Sequence, residues 1–331
     1  MIYSPHTLEL TLIPDTKRFN KLRDKAYKNS KGSHKMHPDK KRIGVCLDHA
    51  LKDNGITVEY HDGTYKKRIK LIVNPTKILG GNDIKKLWKP SRDNISKFLD
   101  KLKNHTDDYF SSKYKLNDFT LTRIDFTVNI NMDDNKTVAA YIKILRSIGK
   151  VKGFAPKFDD SDDRIIKELS FDLKGNSNDL EFTAYDKEIA SSKKEAKGIL
   201  RIEVRLMKQK AIKRFTDASD TSKQIKSLAL SSKDIFLSTF MHVVPRGDYY
   251  KKADAMKIIK EGVVKETTKK KMLKLLEFIP KKKSLYLAQK EMGDRNIDKI
   301  MAMFAEINVS PITITKRHNI KHLKSLYSYL I

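Results

Sequence analysis

Three short stretches of the chain carry chemically capable side chains at strand spacing. Successive side chains of a β-strand point to opposite faces. In "LTRIDFTVNI", Ile124, Phe126, Val128 and Ile130 therefore share one face, and Arg123, Asp125, Thr127 and Asn129 the other. In "LRIEVRL", Ile202, Val204 and Leu206 line one side, with Arg201, Glu203 and Arg205 opposite. A carboxylate flanked by arginines on two strands suits a divalent cation with phosphate oxygens beside it. It suits equally well a plain inter-strand ion pair, such as Arg123 with Glu203. The third stretch, "DLEFTAYDKEIA", ends a strand on Tyr185, Asp186, Lys187 and Glu188. There Thr183, Tyr185 and Lys187 alternate away from Phe182 and Ala184. If the three strands share a sheet, Tyr185 and Lys187 lie over the face of Asp125 and Glu203. A phenol ionises at about pH 10, so Tyr185 can act as a nucleophile only with a cation and a carboxylate base to help it. Simple alternation turns Asp186 away unless the strand bulges or ends there. Whether Asp186 or Glu188 completes a metal site stays open.

The elements that must position these residues can be read from periodicity. "TLELTLI" alternates as a strand, and "ITVEYHDGTYKKRIKLIVNP" reads as a hairpin turning at Asp62-Gly63 and closed by Pro75. Between them, the basic segment from residue 14 to 42 reads as a long solvated loop, helical at most in part. "SRDNISKFLDKLKNH" spaces Ile95, Phe98, Leu99 and Leu102 as an amphipathic helix behind a Ser91 cap. The strand "FTLTRIDFTVNIN" follows, then a helix over about 135–148 with Gly149 as its stop. "ELSFDLKGNSNDLEFTAYDKE" is a second hairpin, and "ILRIEVRLMK" a strongly alternating strand. This is an α+β layout, an antiparallel sheet with helices on one face. An internal duplication of the N-terminal hundred residues is suspected. From about residue 215 the chain turns helical, with Met272, Leu275, Leu276 and Ile279 on one stripe and Ile297, Ile300, Met301 and Phe304 on another. Domains of 1–214 and 215–331 are expected, the first catalytic.

Charge narrows the partner. The 331 residues hold 69 Lys and Arg against 41 Asp and Glu, a net of +28. Self-repulsion of that size points to a polyanion, and release of counterions makes nucleic acid the natural one. No run reaches the length of a membrane span, and the first residues lack a signal-peptide layout. The single cysteine, Cys46, has no partner within the chain. A cytoplasmic protein with no membrane partner is expected.

The three motifs in this order and spacing resemble the replication initiation proteins of rolling-circle plasmids and filamentous phages. They carry an R-I-D strand, a Y-D-K strand and an R-x-E-x-R strand. "LIVNPTKILGG" is similar to the gene II-type phage initiators, and the resemblance covers roughly residues 70 to 207. It implies a nicking and joining enzyme, a DNA endonuclease and strand transferase. Tyr185 would attack a DNA phosphate, giving a 5′-phosphotyrosine and a 3′-hydroxyl for the host polymerase. Asp125 and Glu203, with Asp186 as a further candidate, would hold Mg²⁺ or Mn²⁺. Lys187, Arg123, Arg201 and Arg205 would steady charge on the phosphate. Duplex and single-stranded origin DNA, a host helicase and a homodimeric state are implied as well. The chain departs from many rolling-circle initiators in lacking a His-hydrophobic-His pair. A carboxylate site favours Mg²⁺ or Mn²⁺, and zinc is not expected.

Other readings compete. "SPITITKRHNIKHLKSLYSYL" could be a turn and a recognition helix presenting Lys316, Arg317, His318, Lys321 and Lys324 to duplex DNA, or merely support for the sheet. The N-terminal basic segment, with Phe19 and Tyr27 among its lysines, could grip single strands by charge and stacking. A tyrosine recombinase would use Tyr327 or Tyr329, and a non-catalytic origin-binding protein would leave "YDKE" an ordinary strand end.

Overall fold

The computed structural model describes residues 1–29, 34–36, 43–63, 66–157, 169–315 and 319–331. The chain forms two compact units, each assembled from separated stretches of sequence. The first unit joins Ile2–Thr127 to Val204–Phe236, and the second joins Val128–Glu203 to Leu237–Ile331. The boundary expected near 215 therefore falls inside a stretch that belongs with the N-terminal unit.

In the first unit the strands are β1 (Ser4–Leu12), β2 (His34–Met36), β3 (Ile43–Asp48), β4 (Ile56–Asp62), β5 (Lys67–Val73) and the start of β6 (Thr120–Asn131), ordered β2-β3-β4-β5-β1-β6. All these neighbours pair antiparallel. The hairpin read at Asp62-Gly63 is present, with Asp62 opposite Lys67. Leu8, Leu10, Val58, Tyr60, Ile69 and Leu71 are buried on one face, while Glu9, Glu59, His61 and Lys70 alternate to the other.

Two helices cover the apolar face. Helix α1 (Thr16–Asn29) lies in the segment expected as a loop. Its stripe is Phe19, Leu22 and Ala26, at helical spacing but short of the branched residues that usually announce a core face. Phe19 is fully buried against Tyr60, ring centroids 6.0 Å apart, so it has no face left to stack on a nucleic-acid base. After the short helix α2 (Pro75–Ile78), helix α3 (Arg92–Tyr109) buries Ile95, Phe98 and Leu102 behind its Ser91 cap, as its spacing predicts. Its Tyr109 hydroxyl meets that of Tyr60 at 2.8 Å and donates to Asp48 at 2.7 Å.

The second unit takes the end of β6, then β10 (Ile199–Leu206), β9 (Leu180–Asp186), β8 (Ser170–Gly175) and β7 (Phe154–Pro156) in that order. β8 and β9 form the expected antiparallel hairpin, with Ser170 opposite Tyr185 and Asp172 opposite Thr183. Helix α4 (Asn135–Arg146) is capped by Asp134 and buries Val138, Tyr141, Ile142 and Leu145. Gly149, at φ 73°, ends the turn that follows.

The C-terminal region is mainly helical. The helix Glu266–Lys282 buries the stripe Met272, Leu275, Leu276 and Ile279. In the helix Ile297–Glu306 only Ile300 and Phe304 of the expected stripe are buried. Where the sequence suggests a recognition helix, the described chain is extended. Ile314 bridges to Lys251, and β12 (His322–Leu323) pairs with β11 (Tyr249–Tyr250). Only Tyr327–Leu330 is helical beyond them.

Candidate active site

Strand β9 runs directly into a short helix, α5 (Lys187–Ser191). The junction sorts consecutive residues to different tasks. The Tyr185 hydroxyl donates to Glu203 Oε1 on β10 at 2.7 Å, and Glu203 is only 4% exposed. Arg201, two residues earlier on β10, is buried at 1% exposure and donates from Nε to Asn129 Oδ1 at 2.8 Å. Lys187 stands near enough to both to respond to them. Burial, and next the Arg201 charge, pull its ammonium down to about 8, against an opposing pull from Glu203. The second unit thus brings together Tyr185, Lys187, Arg201 and Glu203.

Asp186 goes elsewhere. Its carboxylate caps α5, accepting from the amide of Glu188 at 2.9 Å and that of Ile189 at 3.3 Å. Burial raises its pKa in spite of these bonds. The acid expected as a further metal ligand serves as an N-cap, because the strand ends at this residue. Glu188 is held as well, its Oε2 accepting from Asn135 Nδ2 at 2.5 Å, while Asn135 Oδ1 takes the Gly198 amide at 2.7 Å.

In the first unit Arg123 grips Asp125 with a two-pronged fork, Nε to Oδ1 at 2.8 Å and Nη2 to Oδ2 at 2.6 Å. Its remaining arm donates to Glu9 Oε1 at 2.8 Å. Burial works against the Arg123 charge, but the bonds to Asp125 and the field of Glu9 outweigh it and raise its pKa. Arg205 Nε lies 3.8 Å from Asp125 Oδ2, and Lys70 Nζ 3.5 Å from Glu9 Oε2. Farther along the same face, His61 binds Glu59 at 2.7 Å. Glu9 and Asn129 are the partners that motif reading did not single out as site residues. A lone acid on the polar face of "TLELTLI" is the only trace Glu9 leaves in the sequence.

Among the described residues no three His, Cys, Asp or Glu side chains gather as a closed metal cage. Mg²⁺ commonly binds through one or two carboxylates and completes its shell with water and substrate phosphate. Glu203 and Asp125 are each oxygen donors of the kind an open site uses, and Asp186 caps α5 through its Oδ1. Of the residues expected to read duplex DNA, Lys321 and Lys324 are exposed on extended chain, and Lys316, Arg317 and His318 lie outside the described residues. Tyr327, weighed as a recombinase nucleophile, donates its hydroxyl to the Val244 carbonyl at 2.7 Å.

The profile of a phage protein family, described as the N-terminal part of a replication-associated protein, matches residues 26–227, more than half of the chain. The chain belongs to that family. All of β6, β9 and β10 lie inside the match to this replication-associated family, and so do the three motif stretches that resemble rolling-circle initiators. The helices beyond residue 243 lie outside it. No curated protein sequence matches the chain. Among solved structures, a rolling circle replication initiator protein from Geobacillus stearothermophilus is similar at 12% identity and a TM-score of 0.35, over 73% of this chain and 85% of that one. That likeness is too slight to say anything about individual residues. Among the described residues no helix is long and apolar enough to cross a membrane.

Proposed function

We propose that this member of the phage replication-associated family is a nicking and closing enzyme that starts rolling-circle replication through Tyr185. The observation that carries the reading is the 2.7 Å hydrogen bond from the Tyr185 hydroxyl to a buried glutamate, with a depressed lysine beside it. Glu203 accepts the phenol proton as Tyr185 Oη bonds to phosphorus. The P–O3′ bond breaks, and the leaving oxygen takes a proton from solvent water to become the 3′-hydroxyl primer, the proton held by Glu203 returning to solvent. The DNA 5′ end stays on Tyr185 as a phosphodiester, and the reverse attack by a 3′-hydroxyl rejoins the strand. Lys187 and Arg201 favour the charge that gathers on the non-bridging oxygens. Glu203 in the second unit and Asp125 in the first are each proposed as an oxygen donor for Mg²⁺ or Mn²⁺, and an ion held beside Tyr185 would polarise the phosphate. Arg123 and Arg205 hold the Asp125 carboxylate in place.

The test uses a randomised library of labelled single-stranded DNA with Mn²⁺. A covalent protein–DNA adduct that Tyr185→Phe abolishes is expected. An adduct that persists in Tyr185→Phe sinks the assignment. If the wild-type protein binds DNA from the library but never forms an adduct, it is a binding-only initiator.

A further inference from the structure

A basic cavity of about 400 Å³ opens in the first unit, on elements that carry none of the nicking residues. It lies where β5 leaves the sheet through α2 and the chain returns to start α3. Its floor is fixed by Trp88, whose indole Nε1 donates to the Pro5 carbonyl at 2.6 Å. The Trp88 ring packs against Phe98, centroids 5.7 Å apart, and belongs to a buried cluster with Ile95 and Ala229. The wall at Gly81 is tight. A Cβ there would meet Thr76 Cγ2 at 2.8 Å and the Thr76 carbonyl at 3.0 Å, so only glycine lets the two backbones lie this close. Thr76 Oγ1, at this wall, is buried with no hydrogen-bond partner among the described residues.

The rim is one-signed. Lys86, Lys89, Lys97 and Lys101 border the cavity, and no acidic residue does. Lys97 and Lys101 stand one turn apart on α3. Asn94, in the first turn of α3, holds the approach rigid by donating from Nδ2 to the Lys89 carbonyl at 3.0 Å. Asp83 Oδ2 lies 3.8 Å from Lys86 Nζ and offsets that one charge; the remaining lysines repel one another, and an anion among them removes that cost. They act as point charges on phosphate rather than as forked readers of base edges. Trp88, at 8% exposure, offers little face for base stacking.

We infer that this cavity is a docking site for the phosphate backbone of DNA, separate from the nicking residues and indifferent to sequence. Binding of labelled 30-mers, single-stranded and duplex, is measured across a salt series in EDTA, where no strand is cut. The outcome is therefore independent of whether the Tyr185 reading holds. Each phosphate that is no longer neutralised flattens the log–log salt slope by about 0.9 for duplex and about 0.7 for single strands. Lys97→Ala with Lys101→Ala should flatten it by about 1.8 on duplex or about 1.4 on single strands, and the arm that responds identifies the form of DNA held. Lys97→Gln with Lys101→Gln should do the same if the alanine pair folds poorly. The control pair Lys270→Ala with Lys281→Ala lies on the helix Glu266–Lys282. An unchanged slope on both DNAs, or an equal change in the control, overturns the inference. So does lysine-dependent one-to-one binding of ATP or inorganic phosphate with the DNA slopes unmoved, which would make the cavity a small-anion site.

Discussion

Replacing Tyr185 by Phe removes the hydroxyl and the hydrogen bond it gives Glu203, and it should be felt in stability as well as in chemistry. The bond runs 2.7 Å to a carboxylate that is 4% exposed. Hydrogen bonds to charged groups contribute about 1.5–3 kcal/mol, and a buried acceptor that loses its donor cannot turn freely to water. A loss of about 2 kcal/mol is therefore expected. For a chain of 331 residues unfolding in one transition, the average unfolding entropy per residue turns that into a fall of about 3 °C in Tm. Calorimetry on wild type, Tyr185→Phe, Glu203→Ala and the double variant forms a thermodynamic cycle. The single losses should exceed the double loss by about 1–2 kcal/mol, as for residues in direct contact. Additivity within about 0.3 kcal/mol would refute the reasoning. The phenol and the carboxylate would then not be bonded in solution, and Glu203 would lose its claim to be the base.

Three further outcomes follow from particular contacts. Lys187 gives up its proton at about 8, so adduct formation at subsaturating DNA should fall about tenfold per pH unit above that point; Lys187→Arg should carry the fall to much higher pH, and a limb that stays in place would clear Lys187 of any role. The folded state holds the Asp186 proton more tightly than an ordinary carboxyl because burial penalises its charge, so its stabilising contribution is lost as pH rises through the folded pKa; Asp186→Asn, which keeps the cap, should gain on wild type in urea melts as pH rises above the ordinary carboxyl range and should still form the adduct. Gly198→Ala should destabilise by more than the ~1 kcal/mol of an ordinary glycine substitution, because its φ is +73° and a Cβ would press into the Met132 carbonyl; a melting temperature equal to wild type would show that the turn can move.

Much of the site is legible in the sequence because it sits on strands. Period-two alternation places Tyr185, Lys187, Arg201 and Glu203 on polar faces, and it places Asp186 away from them. It cannot show that Asp186 caps a helix, since that depends on the chain leaving the sheet one residue later. Helix α1 escapes the pattern because Phe19, Leu22 and Ala26 make a thin stripe among lysines, and Phe19 finds its partners in Tyr60 and Lys67, on other elements of the unit. The boundary near 215 follows a change in local periodicity, whereas β6 and β10 each pass from one compact unit to the other. The expected recognition helix fails for a similar reason. "ITIT" and "KHLKS" each pair with or bridge to residues 248–251, a partner about seventy positions away that no local pattern names.

The pairing of Tyr185 with Ser170 and the cap at Asp186 leave the proposed nucleophile clamped between a hairpin partner and a helix start. A tyrosine seated this way has little backbone freedom with which to follow a departing strand. Reversibility then rests with the DNA. On the proposed mechanism, a cleaved 3′ end that stayed docked would leave the phosphotyrosine facing its own leaving group, and the strand would reseal. With that end drawn off, the same fixed ester would wait for whichever 3′-hydroxyl was next brought to it. The immobility of one side chain would thus make the enzyme a keeper of ends, with the timing of closure set by the nucleic acid rather than by the protein.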